Sequence, residues 1–135
     1  MEQTKEFSIT LDDRPGTLAK ATDAIAKAGI NIEGYCAVPS GTNGKGVLHL
    51  VTKDAPNARK ALESAGFKVE DERDAVIIDV EDRPGVVAQI FRNIADNELN
   101  VGPTYSLTQN RILISADNFS KLRETLQELA PARRR

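Results

Sequence analysis

The sequence predicts an α+β fold: two ferredoxin-like β-α-β-β-α-β repeats with antiparallel sheets, the second lacking a last strand of its own. Three observations carry this. Asp13-Arg14-Pro15-Gly16 returns as Asp82-Arg83-Pro84-Gly85, 69 positions later. An apolar run precedes each tetrad, Phe7 to Leu11 and then Val76 to Val80, and an amphipathic stretch follows each. Each stretch closes on a matching tripeptide, Ile30-Asn31-Ile32 and Leu99-Asn100-Val101, whose asparagines are again 69 apart. Register held through strand, loop, helix and strand marks a duplicated supersecondary unit rather than a chance tetrapeptide. The first domain is placed at residues 1–73 and the second at 74–135. Halves of this size have marginal cores, so they are expected to pack together or against a second chain.

The elements follow in order. Lys5 to Leu11 alternates and reads as a strand. Pro15 suits a first helical position, where its missing N–H costs nothing. Leu18, Ala21, Thr22, Ile25 and Ala28 continue at helical spacing until Gly29 stops the helix. Ile30 to Val38 is the second strand, Pro39 to Gly44 a long turn, and Gly46 to Thr52 the third strand. Asp54 caps a helix carrying Ala58, Ala61, Leu62 and Ala65 inward, and Gly66 ends it. Phe67 to Arg73 reads as a fourth strand. The second copy repeats the order with Val76 to Val80, a helix presenting Val87, Ile90, Phe91 and Ile94, and a strand from Leu99 to Leu107. A tight Thr108-Gln109-Asn110 turn leads into Arg111 to Ser115. A last helix from about Asn118 turns Phe119, Leu122, Leu126 and Leu129 inward. Ala130 to Arg135 cannot form a further strand, so a strand from the other half or from a second chain should cover the open edge. Phe67 to Arg73 is the nearest candidate.

Composition removes several function classes. A net charge of -2 and a pI near 5.5 do not describe a nucleic-acid-binding surface. No stretch approaches the ~20 apolar residues of a membrane span. Met1 to Glu6 lacks the apolar core of a signal peptide, so cytoplasmic residence is expected. The single cysteine, Cys36, leaves no internal disulfide and no Cys-x-x-Cys site. No cofactor or metal is expected. His49, the one histidine, lies mid-strand and is read as a packed or half-exposed structural residue. The Arg133-Arg134-Arg135 tail is read as a solvated end.

The repeated tetrad joins a strand end to a helix start, where orphan N–H groups and the positive end of the helix dipole point outward. Such a terminus can hold a carboxylate. Gly16 and Gly85 carry no Cβ, which lets a ligand or backbone approach. Asp13 and Asp82 can accept from an ammonium group or, alternatively, from their own helix. A helix-start signal alone explains one copy; identity of all four residues in both copies favours function. Asn31 and Asn100 admit two readings, a left-handed or capping conformation, or an amide offering donor and acceptor to a zwitterion. Arg14 and Arg83 are candidate carboxylate clamps or, alternatively, surface residues covering a neighbouring strand.

Strand, Asp-Arg-Pro-Gly, helix and Gly-Ile-Asn-Ile, in β-α-β-β-α-β order, resemble the ACT domain over nearly the whole chain, twice. The resemblance implies a regulatory module that binds a free amino acid where two domains associate. There the first-strand to first-helix loop of one meets the second strand of its neighbour. It implies Leu11, Asp12, Asp13, Arg14, Gly16, Thr17, Leu18, Asn31 and Ile32 as ligand-binding in copy one. In copy two it implies Val80, Glu81, Asp82, Gly85, Val86, Val87, Asn100 and Val101. Backbone amides near Thr17, Leu18, Val86 and Val87 would hold the carboxylate. Members that sense serine carry histidine and asparagine where Leu11 and Asp13, then Val80 and Asp82, stand here, so serine is not the implied ligand. A stand-alone tandem sensor, homodimeric, with a metabolic enzyme or regulator as partner, is what the resemblance implies.

Three other classes require residues that the sequence does not offer, among them a metal carrier of ferredoxin-like shape, which Cys36 alone cannot support. A small enzyme or enzyme subunit on the same fold would need a nucleophile with a base, or paired acids in a cleft, and only the repeated Asp is on offer. An RNA-binding module would need aromatic residues on its inner strands. Val47-Leu48-His49-Leu50-Val51 and Arg111 to Ser115 have none.

Overall fold

Six strands and four helices form in the order β1 (Glu2–Asp12), α1 (Thr17–Lys27), β2 (Ile32–Pro39), β3 (Lys45–Thr52), α2 (Ala55–Ser64), β4 (Val69–Asp79), α3 (Val86–Asp96), β5 (Val101–Leu107), β6 (Arg111–Ala116) and α4 (Phe119–Arg133). The computed structural model describes residues 1–39 and 43–133, with side chains as far as Leu129. Part of the long turn and the arginine tail expected from the sequence therefore lie outside the described residues. The chain divides into two compact units, Lys5–Arg73 and Asp74–Arg135 joined by Met1–Thr4.

Within Lys5–Arg73 the hydrogen-bonded strand order is β2-β3-β1-β4, the ferredoxin-like arrangement. β1 runs antiparallel to β3 with Phe7 opposite Leu50 and Ile9 opposite Leu48, and β2 runs antiparallel to β3 on its other side. Period-two alternation brings Phe7, Ile9, Leu48 and Leu50 to one face, where they meet Ala21 and Ile25 of α1 and Ala58 and Leu62 of α2. These helix residues recur at i and i+4, so one stripe of each helix is apolar and buried. Asp54 caps α2 as expected, accepting from the Asn57 backbone N–H at 3.3 Å.

In the second unit the order is β1-β4-β6-β5. β4 pairs antiparallel with β6, Val76 opposite Ile114 and Ile78 opposite Ile112. Val76, Ile78, Ile112 and Ile114 join Ile90 and Ile94 of α3 and Leu122 and Leu126 of α4 in a second core. Asn118 caps α4, accepting from the Lys121 N–H at 3.1 Å. Gln109 and Asn110 both take positive φ, 63° and 54°, the condition for a tight primed hairpin turn between β5 and β6.

The missing strand is supplied differently from the sequence expectation. β1 has two neighbours, β3 and β4, and its register with β3 begins only at Glu6. The strand residues before Glu6 therefore stand beside β4, and Met1–Thr4 belong to the second unit. Glu2 to Thr4, rather than Phe67 to Arg73, fill the vacancy. The Phe67 to Arg73 segment does not end before a new strand begins either. Val69–Asp79 is a single strand whose first half serves one unit and whose second half serves the other. Only the Arg73-Asp74 junction parted the two expected strands, and extended backbone continues through it.

Three further boundaries shift. Pro15 is not the first helical residue: α1 begins at Thr17, with Gly16 as its N-cap. β2 and β5 start later than expected, because each carries a bulge at its opening, between Ile32 and Gly34 and between Val101 and Thr104. Pro103 falls inside the second bulge on an edge strand, where its missing N–H breaks no ladder bond. Glu98, which corresponds to Gly29 in the first copy, takes φ 59° at the end of α3, while Gly29 takes φ 74°.

A buried ionic cluster closes the first unit. Glu6 is fully buried, with Oε1 2.5 Å from Arg73 Nη1 and Oε2 3.1 Å from His49 Nδ1. Arg73 also pairs with Asp71. His49 is thus half-buried with its Nδ1 on the Glu6 carboxylate, a structural residue; a carboxylate taken from water is tolerated only with partners such as Arg73.

Two predictions follow from these placements. Removing residues 1–4 uncovers Asp74–Asp79 on one side, so hydrogen exchange at Ala75 to Ile78 should accelerate at least ~10-fold, with β2 and β3 unchanged. Unchanged exchange at β4 would contradict the strand assignment. Glu98→Gly relieves a left-handed non-glycine residue and should raise stability by about 0.5–1 kcal/mol in urea unfolding.

Candidate functional site

Each strand-to-helix corner is built in the same way. In the first, the Arg14 N–H donates to the Asp12 carbonyl at 2.9 Å; in the second, the Arg83 N–H donates to the Glu81 carbonyl at 3.0 Å. Both are three-residue turns centred on the repeated aspartate. Gly16 then takes φ 91°, ψ -12°, and Gly85 takes φ 93°, ψ -16°. A Cβ at either glycine would meet no atom within 4 Å, so glycine is required here by its left-handed backbone and not by crowding. The Gly16 carbonyl accepts from the Lys20 N–H, and the Gly85 carbonyl from the Gln89 N–H, both at 2.9 Å, which starts each helix.

Neither helix has a side-chain cap. Asp13 and Asp82 therefore do not cap their own helices, and both are exposed. Each arginine instead reaches back to the acid two residues earlier. Arg14 Nη2 lies 3.6 Å from Asp12, and Arg83 Nε donates to Glu81 at 2.6 Å. The arginines are surface residues held over the turn.

The first corner opens on a cavity of about 550 Å³ lined by Thr10, Asp12, Arg14, Pro15, Gly16, Thr17, Lys20, Lys45 and Gly66 to Lys68. Lys45 Nζ approaches Asp12 Oδ1 to 2.5 Å. That hydrogen bond, together with the lysine charge, holds the Asp12 carboxyl below its usual value, against a smaller effect of desolvation; Arg14 adds a weaker push in the same direction. Leu11 is buried in the core behind the corner, and Leu18 is partly exposed on α1. In the second corner Val86 is buried while Val87 is exposed.

Asn31 does not join Asp13 and Gly16 within its own unit. It lies beyond the C-terminal end of α1, and Gly16 lies at the other end; eleven helical residues span about 16 Å. There Asn31 lines a separate cavity of about 640 Å³ with Gly29, Ile30, Lys53, Asp54, Asn57, Lys60 and Ser64. Neither Asn31 nor Asn100 takes positive φ, which removes the left-handed reading. Each stands immediately before a bulge, at Ile32 and at Val101. The Asn100 N–H donates to Asp117 Oδ1 at 3.2 Å and its carbonyl accepts from the Asp117 N–H at 3.0 Å. Sequence reasoning missed Lys20, Lys45 and Lys68 of the first cavity; their spread along the chain gave no signal without the fold.

A family model described as an ACT domain pair matches residues 3–130. The chain belongs to the ACT domain pair family. ACT domains are regulatory rather than catalytic, and membership supports a ligand-binding regulatory role. This ACT pair is similar to protein BT0572 from Bacteroides thetaiotaomicron, at 28% identity and TM-score 0.82, over 94% of this chain and 88% of the other. It is also similar to the regulatory subunit of aspartate kinase from Thermus flavus, at 25% identity and TM-score 0.67, over 96% and 94% of the two chains. The ligand-free aspartate kinase regulatory subunit from Thermus thermophilus gives 25% identity and TM-score 0.66, over 93% and 91%. The search of curated proteins gives no match. No helix among the described residues of the ACT pair is long and apolar enough to cross a membrane.

The Lys45 contact is testable by NMR. Asp12 should titrate below the usual carboxylate range, and Lys45→Gln should return it toward that range. A carboxylate lowered by folding contributes stability above its unfolded value and loses it as pH falls through the lowered one. The two proteins should therefore differ least in stability at the acid end of the titration. An Asp12 midpoint that Lys45→Gln leaves unmoved would contradict the contact.

Proposed function

We propose that this ACT pair binds a free amino acid at its strand-to-helix corners and signals occupancy to a metabolic enzyme or regulator, without catalysis. The observation that carries this reading is the identical backbone of the two corners, each with a left-handed glycine and a helix start that no side chain caps. Peptide N–H groups at such a start suit the carboxylate, and exposed Asp13 or Asp82 suits the ammonium group. Similarity to the regulatory subunits of aspartate kinase supports an amino-acid-related role.

Asn31 lies too far from Gly16 in its own unit to touch the same small ligand. A ligand reaching both kinds of group takes the corner from one module and the bulged strand opening from a module of a second chain. This favours a homodimer with symmetric sites. Leu11, Asp12, Arg14, Thr17, Leu18 and Ile32, with Val80, Glu81, Gly85, Val86, Val87, Asn100 and Val101, frame the two sites in this reading. Regulation then follows by linkage: the ligand favours one association of modules and thereby changes affinity for the partner. The reading carries with it a cytoplasmic location, where free amino acids and metabolic enzymes meet.

A thermal-shift screen of the full chain against the twenty amino acids tests it. One or two should stabilise the protein, by about 2–3 kcal/mol at a hundredfold excess over Kd. The shift should shrink in Asn31→Ala and in Asp13→Ala or Asp82→Ala. No shift at millimolar concentration with any of the twenty would overturn the reading.

A further inference from the structure

The cavity beside Gly16 is strongly unbalanced in charge. Among the described residues that line it, Arg14, Lys20, Lys45 and Lys68 are cationic and only Asp12 is acidic. Asp12 lies 2.5 Å from Lys45 and 3.6 Å from Arg14, so its one charge is shared between two cations. Lys20 extends its Nζ over the Phe67 ring, 5.5 Å from the centroid, which lays its stem along the cavity wall. Lys68 Nζ reaches Glu70 only at 4.0 Å, and its side chain is 83% exposed. Like charges gathered in a concavity repel one another and focus a positive potential there.

The turn itself does not require this charge. The second corner has the same backbone angles, yet Gln89 stands where the first has Lys20, and Val86 where the first has Thr17. Arg83 is tied to Glu81 at 2.6 Å. No strand follows α4 among the described residues, so the second copy has no counterpart of Lys68. The excess belongs to the lining of one corner, on a frame that closes equally well without it.

We propose that the cavity beside Gly16 binds a small molecule carrying two or more negatively charged groups. This deepens, and rests on, the reading of that corner as a ligand site. A cavity of about 550 Å³ holds a small metabolite. A neutral zwitterion gains nothing net from surplus positive charge, whereas each additional anionic group does. Two sources share this chemistry, an amino acid with a side-chain carboxylate and a phosphorylated metabolite.

Calorimetric titration of the full chain at low and moderate salt tests this with L-aspartate, L-asparagine and inorganic pyrophosphate as probes. Aspartate and asparagine differ in little but one charge. Aspartate or pyrophosphate should bind at least ~10-fold tighter than asparagine, and the difference should narrow as salt rises. The double variant Lys20→Gln/Lys68→Gln should lose about tenfold in anion affinity, while its unliganded melting temperature stays within ~2 °C, as for exposed surface changes. Aspartate binding tighter than pyrophosphate identifies the dicarboxylate source, and the reverse order the phosphoryl source. Equal affinity for aspartate and asparagine with no pyrophosphate binding overturns the inference while leaving the amino-acid site standing. Pyrophosphate binding where no amino acid binds upholds it and removes the amino-acid reading. Anion affinity unchanged in the double variant places the ligand elsewhere and also overturns it.

Discussion

An exposed strand edge is the constraint on which this fold turns. A row of unpaired N–H and C=O groups either finds a partner or invites a wrong one. Among the described residues no strand follows α4 in the second repeat, whose first strand would otherwise be bare on one side. The chain answers by lengthening the first strand of copy one backward to Glu2 and letting β4 run from one repeat into the next. Met1–Thr4 then belong with Asp74–Arg135, although 69 residues separate them in sequence. Each unit has four strands, and β1 and β4 contribute to both. With the sheets complete, both strand ends that precede the tetrads are held firmly, so the two corners are presented on rigid elements.

The tetrad earns its repetition through backbone geometry before any ligand is considered. Aspartate centres a three-residue turn, arginine folds back on the preceding acid, proline fixes φ, and glycine supplies the left-handed step into the helix. Every one of the four thus has a local reason to recur. What those reasons leave over is informative. Each helix starts on a glycine, which has no side chain to cap it, beside an exposed aspartate that makes no cap bond. Both copies share this arrangement.

Much of this was legible in the chain. The duplicated tetrad and the paired asparagines announced two units, and periodicity placed all four helices within a few residues. The failures have physical causes. Glu2, Gln3 and Thr4 show no apolar alternation because their segment is short and polar, so β1 looked shorter than it is. Arg73 and Asp74 looked like a junction between two strands, whereas the extended backbone continues through them, steadied by Arg73 on Glu6 and Asp71. The bulges before Gly34 and Thr104 left no mark that residue types alone reveal. The helical spacing after the tetrad already set Gly16 and Asn31 apart, and a helix of eleven residues puts them at opposite ends.

That separation also divides what the frame decides from what the lining decides. The corner backbone recurs unchanged, so the capacity to present peptide nitrogens is common to both copies. Charge does not recur: three lysines reach the first cavity from α1, β3 and the turn before β4, three elements far apart in sequence. Only one of those positions has a counterpart helix residue in copy two, and there it is Gln89. Duplication followed by divergence of this kind leaves conformation conserved between the halves and selectivity free to differ. Two corners of the same backbone shape thus differ in the charge of their lining, which makes them physically inequivalent from the outset.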